Sequence, residues 1–126
     1  MIEKKFEIVV KEFDSVSELS NEDRALIDAA KEASSDAYAP YSGFMVGAAV
    51  LTGNGTIIKG NNRENAAFPS GSCAERTVLS YTGANFPGER IIAMAICASS
   101  EGSFTDEPVS PCGSCRQLIS EEEERS

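Results

Sequence analysis

The chain has 126 residues, of which 41% are hydrophobic and 25% charged; it contains no histidine and carries a formal net charge of -9. That length and composition fit one packed, soluble domain over residues 1–126, and the missing imidazole excludes Ser-His-Asp triads, Cys-His pairs and histidine metal ligands, leaving carboxylate, Lys, Tyr or Cys to move a proton. The acidic balance argues against a polynucleotide partner, since phosphate backbones are bound through Lys and Arg, and suits a small neutral substrate.

No apolar run reaches the ~18 residues of a membrane span. The start Met1-Ile-Glu-Lys-Lys-Phe6 has no secretory apolar region, so the chain reads as cytoplasmic with reduced thiols. Phe6, Ile8 and Val10 alternate with charged neighbours, which predicts a short strand. Ser20 followed by Asp23 suits an N-terminal cap, and Leu26, Ile27, Ala30, Ala33 and Ala37 predict a helix to about Tyr38, bounded by Pro40. Met45 to Thr52, the turn Gly53-Asn54-Gly55, and Thr56 to Lys59 predict a β-hairpin. The polar stretch Gly60 to Gly71 predicts a loop. Ser72 then suits the cap of a second helix ending at Gly83, and Ile91 to Ala98 reads as a central strand buried on both faces. A polar connection follows, from Ser99 to Ser110. Pro111 suits the first turn of a third helix starting near Cys112, and the Glu121 to Glu124 run sits unfavourably at its negative end. A hairpin followed by two strand-to-helix units implies a mixed sheet with helices packed on it.

The chemistry concentrates in Cys73-Ala-Glu75 and Pro111-Cys112-Gly-Ser-Cys115. Cys112 and Cys115 share a helical face near an N-terminus, where thiolates are favoured, and Cys73 starts a second helix, so the three can converge on one Zn²⁺. Three protein ligands leave a fourth position for water, which is a catalytic count. Glu75, two residues from Cys73, is placed to move protons rather than to ligate, and Arg76 can offset the site's negative charge. Two alternatives stay open. With Cys97 as a fourth ligand the zinc would be structural, in a non-catalytic module; alone, Cys112-x-x-Cys115 would suit a thioredoxin-like redox pair.

The same residues resemble the zinc signature of the cytidine deaminases that act on free nucleosides, and Cys at the first ligand position is similar to the small homotetrameric subunits. Tyr38-Ala-Pro-Tyr41-Ser-Gly-Phe44 and Asn62-Arg-Glu64-Asn65-Ala-Ala-Phe68 are similar to further family segments, so that the likeness runs from about Ala25 to Gln117. The resemblance implies a three-layer α/β/α sandwich around a mixed, nominally five-stranded sheet, with one zinc per chain. It implies hydrolysis of cytidine and 2′-deoxycytidine to the uridines and ammonia, in pyrimidine salvage, with a blasticidin-S type or other aminopyrimidine nucleoside deaminase as the alternative. Asn62 and Glu64 would hold ribose hydroxyls, Phe44 would pack near the nucleoside, and the Ala74 backbone would help fix the base. Residues 1–19 are longer than the usual family start and have no role in this reading.

Overall fold

The longest pairing in the molecule joins β1 (Phe44–Thr52) to β3 (Ile91–Ser100), and β2 (Ile57–Asn61) lies on the other side of β1. The computed structural model describes residues 1–125. The sheet order is β2-β1-β3-β4, where β4 is the two-residue segment Ser103–Phe104, and every neighbouring pair is antiparallel. The described residues therefore form a four-stranded antiparallel sheet with helices packed on it, an α/β fold as expected. β3, arriving after helix α2 (Ala74–Asn85), inserts beside β1 and not beside β2, so the two strands that run parallel are separated by one antiparallel to both.

The layered arrangement does follow the expectation. Period-2 alternation sends Ala48 and Val50 to one face of β1, where they pack with Ile58, Ala74, Val78 and Leu79, and sends Ala49 and Leu51 to the other, against Leu26 and Ala30 of α1 (Asn21–Ser34). Leu118 and Ile119 of α3 (Gly113–Arg125) add to the first cluster. Val50 and Val78 are fully buried, each contributing about 1.5–3 kcal/mol from apolar area removed from water. Two glycines set the layer spacing: a Cβ on Gly47 would overlap the Ala30 carbonyl oxygen, and one on Gly60 would lie 2.9 Å from the Val78 backbone nitrogen.

Several boundaries depart from the sequence expectation. Ser20 caps α1, its hydroxyl accepting from the Asp23 N–H at 3.1 Å, but the helix stops at Ser34, short of Tyr38. The Ser34 and Ser35 hydroxyls donate back to the Lys31 and Glu32 carbonyls, each at 2.6 Å, offering those groups a partner other than the next turn. The cap of α2 is Cys73, not Ser72, and the helix runs past Gly83 to Asn85. Pro111 lies outside α3, because the first helical bond is accepted by the Cys112 carbonyl from Arg116 N–H. β3 is half-buried over most of its length, and among the described residues only its Ser99 and Ser100 have a strand partner on the side away from β1. Phe6 to Val10 form no strand: residues 1–13 have no regular structure and are exposed. None of the helices among the described residues is long and apolar enough to cross a membrane.

Candidate metal centre

Cys73 and Cys112 stand at the starts of α2 and α3, and Cys115 lies within the first turn of α3. The helix starts converge, so that the three sulfurs lie within 4.8 Å of one another, with 3.9 Å between Cys73 Sγ and Cys112 Sγ. Cys73 and Cys112 are exposed while Cys115 is buried, so the cluster opens to solvent on one side. The Cys112 thiol takes the role of a capping side chain, its sulfur accepting from the Cys115 N–H at 3.5 Å.

The electrostatics of the cluster are those of crowded ligands. The Cys115 N–H is the main influence drawing the Cys112 thiol down, whereas burial pushes Cys73 and Cys115 up, and the Glu75 charge adds to the rise at both. Glu75 itself is buried, 5% exposed, on the first turn of α2. A carboxylate held out of water beside three thiols is an arrangement that a divalent cation would relieve. The geometry fits zinc: at a Zn–S length of about 2.3 Å, tetrahedral thiolates stand ~3.8 Å apart, close to the separation of Cys73 and Cys112. With three sulfurs in reach and no histidine in the chain, Cys73, Cys112 and Cys115 are the residues that would hold a zinc ion here, and three protein ligands would leave a fourth position for water.

Cys97 is not part of this cluster. It packs on the α1 side of the sheet, its thiol directed at the Ile27 carbonyl at 3.8 Å, and burial raises its pKa. That removes the four-cysteine closed site, and the third thiol at Cys73 sets the arrangement apart from a two-cysteine redox pair. Arg76 is exposed on α2, next to Glu75, whose charge is among the causes that raise the Cys73 and Cys115 thiols.

The remaining candidate residues gather beside the cluster through backbone pairing. Arg63 and Ser72 exchange two N–H···O bonds of 2.9 Å, and Tyr38 and Glu64 bond at 2.8 Å, so the 38–44 and 62–64 segments are stitched to the residue preceding Cys73. The buried Asn62 side chain spans the start of β1, its oxygen accepting from Val46 N–H and its nitrogen donating to the Phe44 carbonyl, both at 2.9 Å. One amide hydrogen of Asn62 is left over. Glu64 accepts from the Tyr41 and Ser42 N–H groups and, at 2.5 Å, from the Ser42 hydroxyl, which is the first of the causes holding its pKa below the ordinary carboxylate value. Ser42 is therefore a positioning residue that the sequence did not single out; its signal was its place in Tyr41-Ser-Gly-Phe44, three residues rich in turn-forming groups before a strand. Phe44 is half-buried at the mouth of β1. Ala74, wholly buried, is the first residue of α2, where a backbone N–H has no partner within the helix.

Residues 20–125 match the family described as the cytidine and deoxycytidylate deaminase zinc-binding region. Among proteins of known name, the chain is 48% identical over 96 residues to a cytidine deaminase of Sporosarcina psychrophila and 45% identical over 97 residues to one of Halalkalibacterium halodurans, each match covering 76% of this chain. The matched regions span 66% and 68% of those relatives' lengths. Among solved structures, the cytidine deaminase of Mycobacterium leprae superimposes with a TM-score of 0.68 at 38% identity, covering 82% of this chain and 81% of that one. The Burkholderia pseudomallei cytidine deaminase gives 0.66 at 42% identity, covering 80% and 75%. A cluster of three thiols with a buried glutamate beside it, within a family match over residues 20–125, makes this protein a member of the cytidine and deoxycytidylate deaminase zinc-binding family.

Proposed function

We propose that the chain is an enzyme, a hydrolase that converts cytidine and 2′-deoxycytidine to uridine and 2′-deoxyuridine with release of ammonia. The observation that carries this is Glu75, a carboxylate buried beside the Cys73, Cys112 and Cys115 thiols. Zinc bound by those thiolates would supply Lewis acidity that brings the pKa of a coordinated water to about 7.

Glu75 takes one proton from the attacking water as a C–O bond forms at C4, and delivers it to N3 of the base. It then carries the hydroxyl proton to the amine as the C4–N bond breaks, so that ammonia leaves and a C4 carbonyl remains. One carboxylate serves both directions because each transfer returns it to its starting state. The N–H of Ala74, at the open start of α2, is a donor suited to holding the base, and Phe44 covers the nucleoside from the β1 side. Asn62 offers its spare amide hydrogen, and Glu64 its carboxylate, to the ribose hydroxyls. The partners that fix both side chains to their own loop keep them aimed, which lowers the ordering cost of binding.

The reaction belongs to pyrimidine salvage in the cytoplasm, a reading supported by four unpaired thiols, and the three-cysteine ligand set supports a homotetramer. A nucleoside panel assayed for ammonia tests the substrate, and a blasticidin-S type deaminase would reveal itself by ignoring cytidine.

A further inference from the structure

Residues 61–64 divide their side chains between two directions. Asn62 bonds to the Phe44 carbonyl and Val46 N–H, and Glu64 to Tyr41 and Ser42, so both face the segment that enters β1. By the period of two of an extended chain, Asn61 and Arg63 face the other way, and there they meet the end of α1. The Asn61 side chain donates to the Ala33 carbonyl at 3.0 Å. From Nη1 the Arg63 guanidinium donates to the Asp36 carbonyl at 2.9 Å and to Asn61 Oδ1 at 3.3 Å. It also lies over the Tyr38 ring, 5.8 Å from the centroid, a distance at which a cation is drawn to the ring face.

The backbone makes Arg63 a junction as well. On one side it bridges Tyr38 in parallel, the Tyr38 N–H donating to the Asn62 carbonyl and the Tyr38 carbonyl accepting from Glu64 N–H. On the other side it bridges Ser72, the residue before Cys73. Each pairing is one bridge long, with two hydrogen bonds, so the Arg63 side chain is a third attachment for the segment. Its planar fork suits that task, because one edge can bond a carbonyl while the face stacks on a ring.

We propose that Arg63 is a positioning residue for the sugar contacts. It ties the 62–64 segment to Tyr38 and to the Asp36 carbonyl beyond α1, so that Asn62 and Glu64 meet the ribose already in place. The role toward the ribose rests on the deaminase reading, whereas the tie itself does not.

Arg63→Ala on the full, zinc-loaded chain tests both halves. By NMR, the amides of Tyr38, Arg63 and Glu64 should exchange about three- to tenfold faster, while those of Ala49 and Val50, paired on both sides in the sheet, should keep the wild-type rate. The KM for cytidine should rise about three- to tenfold with kcat within about twofold, because Arg63 acts through Asn62 and Glu64 and not at the reacting atoms. Combined with Glu64→Ala, the two losses in kcat/KM should fall short of their product. Arg63→Gln keeps part of the stem over Tyr38 and one amide donor, should fall between wild type and Ala in exchange and KM, and carries the same comparisons should the Ala variant not fold. Unchanged exchange at Tyr38, Arg63 and Glu64 overturns the tie. Faster exchange at Ala49 and Val50, a kcat that falls as far as kcat/KM, or losses that multiply in full overturn the positioning role. Wild-type protein that deaminates neither cytidine nor 2′-deoxycytidine defeats the proposed reaction and with it the role toward the ribose, and the exchange rates then decide the tie alone.

Discussion

Glu75→Gln isolates the proton carrier. The substitution keeps shape and volume in a site that is 5% exposed, so no cavity opens and no packing is lost. It removes one negative charge from the first turn of α2, where the helix dipole favours it, at a cost of about 0.3–1 kcal/mol. Set against a typical stability of 5–15 kcal/mol, that leaves the protein folded. The amide cannot accept the water's proton, and loss of general acid-base catalysis is typically about 10²- to 10⁴-fold, or roughly 3–5 kcal/mol of barrier. Glu75 is not one of the three clustered thiols, so the variant keeps the groups that would hold the metal and its zinc content should be retained. Turnover of cytidine by coupled ammonia release, metal content and a melting curve should be measured on one preparation. Near wild-type turnover would place the proton shuttle elsewhere, and loss of metal with retained fold would make Glu75 a ligand.

Cys97→Ala should leave zinc at about one per chain by elemental analysis, because its thiol lies on the α1 side of the sheet; loss of metal would return the four-cysteine site. Glu64→Ala should lower kcat/KM for cytidine roughly 10- to 150-fold and make the variant indifferent to removal of the substrate's 3′-hydroxyl. An unchanged preference between cytidine and its 3′-deoxy analogue would mean Glu64 only ties the 41–42 loop. Ser42→Ala should raise the Glu64 pKa toward the ordinary carboxylate value, seen by NMR titration, since the Ser42 hydroxyl is the first cause of its depression. The sign follows: a depressed carboxylate stabilises the loop above its ordinary pKa and loses that contribution as pH falls through the folded value, so the wild type should hold the loop to lower pH than the variant. Gly47→Ala should cost about 1–3 kcal/mol by driving β1 from α1, read as a lowered melting temperature; no change would mean the layers can separate freely.

The parts of this molecule legible in its sequence are those specified locally. Ser20 with Asp23 announced α1, the Gly53-Asn54-Gly55 turn announced the hairpin, and the spacing of Cys112 and Cys115 put two thiols on one helical face, which the packing of α2 beside α3 brings within reach of Cys73. What the sequence hid depended on neighbours. Phe6 to Val10 have the pattern of a strand, but a strand exists only when an edge pairs with it, and among the described residues no edge does so. Ile91 to Ala98 read as a central strand, and β3 does lie between β1 and β4, although among the described residues β4 pairs with it only at Ser99 and Ser100. The end of α1 was lost for a smaller reason: Ser34 and Ser35 turn their hydroxyls back on the helix, a choice that hydrophobic spacing does not register. Ser42 escaped notice because its role is to hold Glu64, 22 residues away.

The most direct test of the central claim is product analysis with the zinc-loaded chain and cytidine. Uridine and ammonia should appear in equal amounts, and the rate should vanish on chelation of the metal and return when zinc is restored. Zinc-replete, folded protein that forms no uridine from cytidine or 2′-deoxycytidine would contradict it, whether it acts on another aminopyrimidine nucleoside or on none.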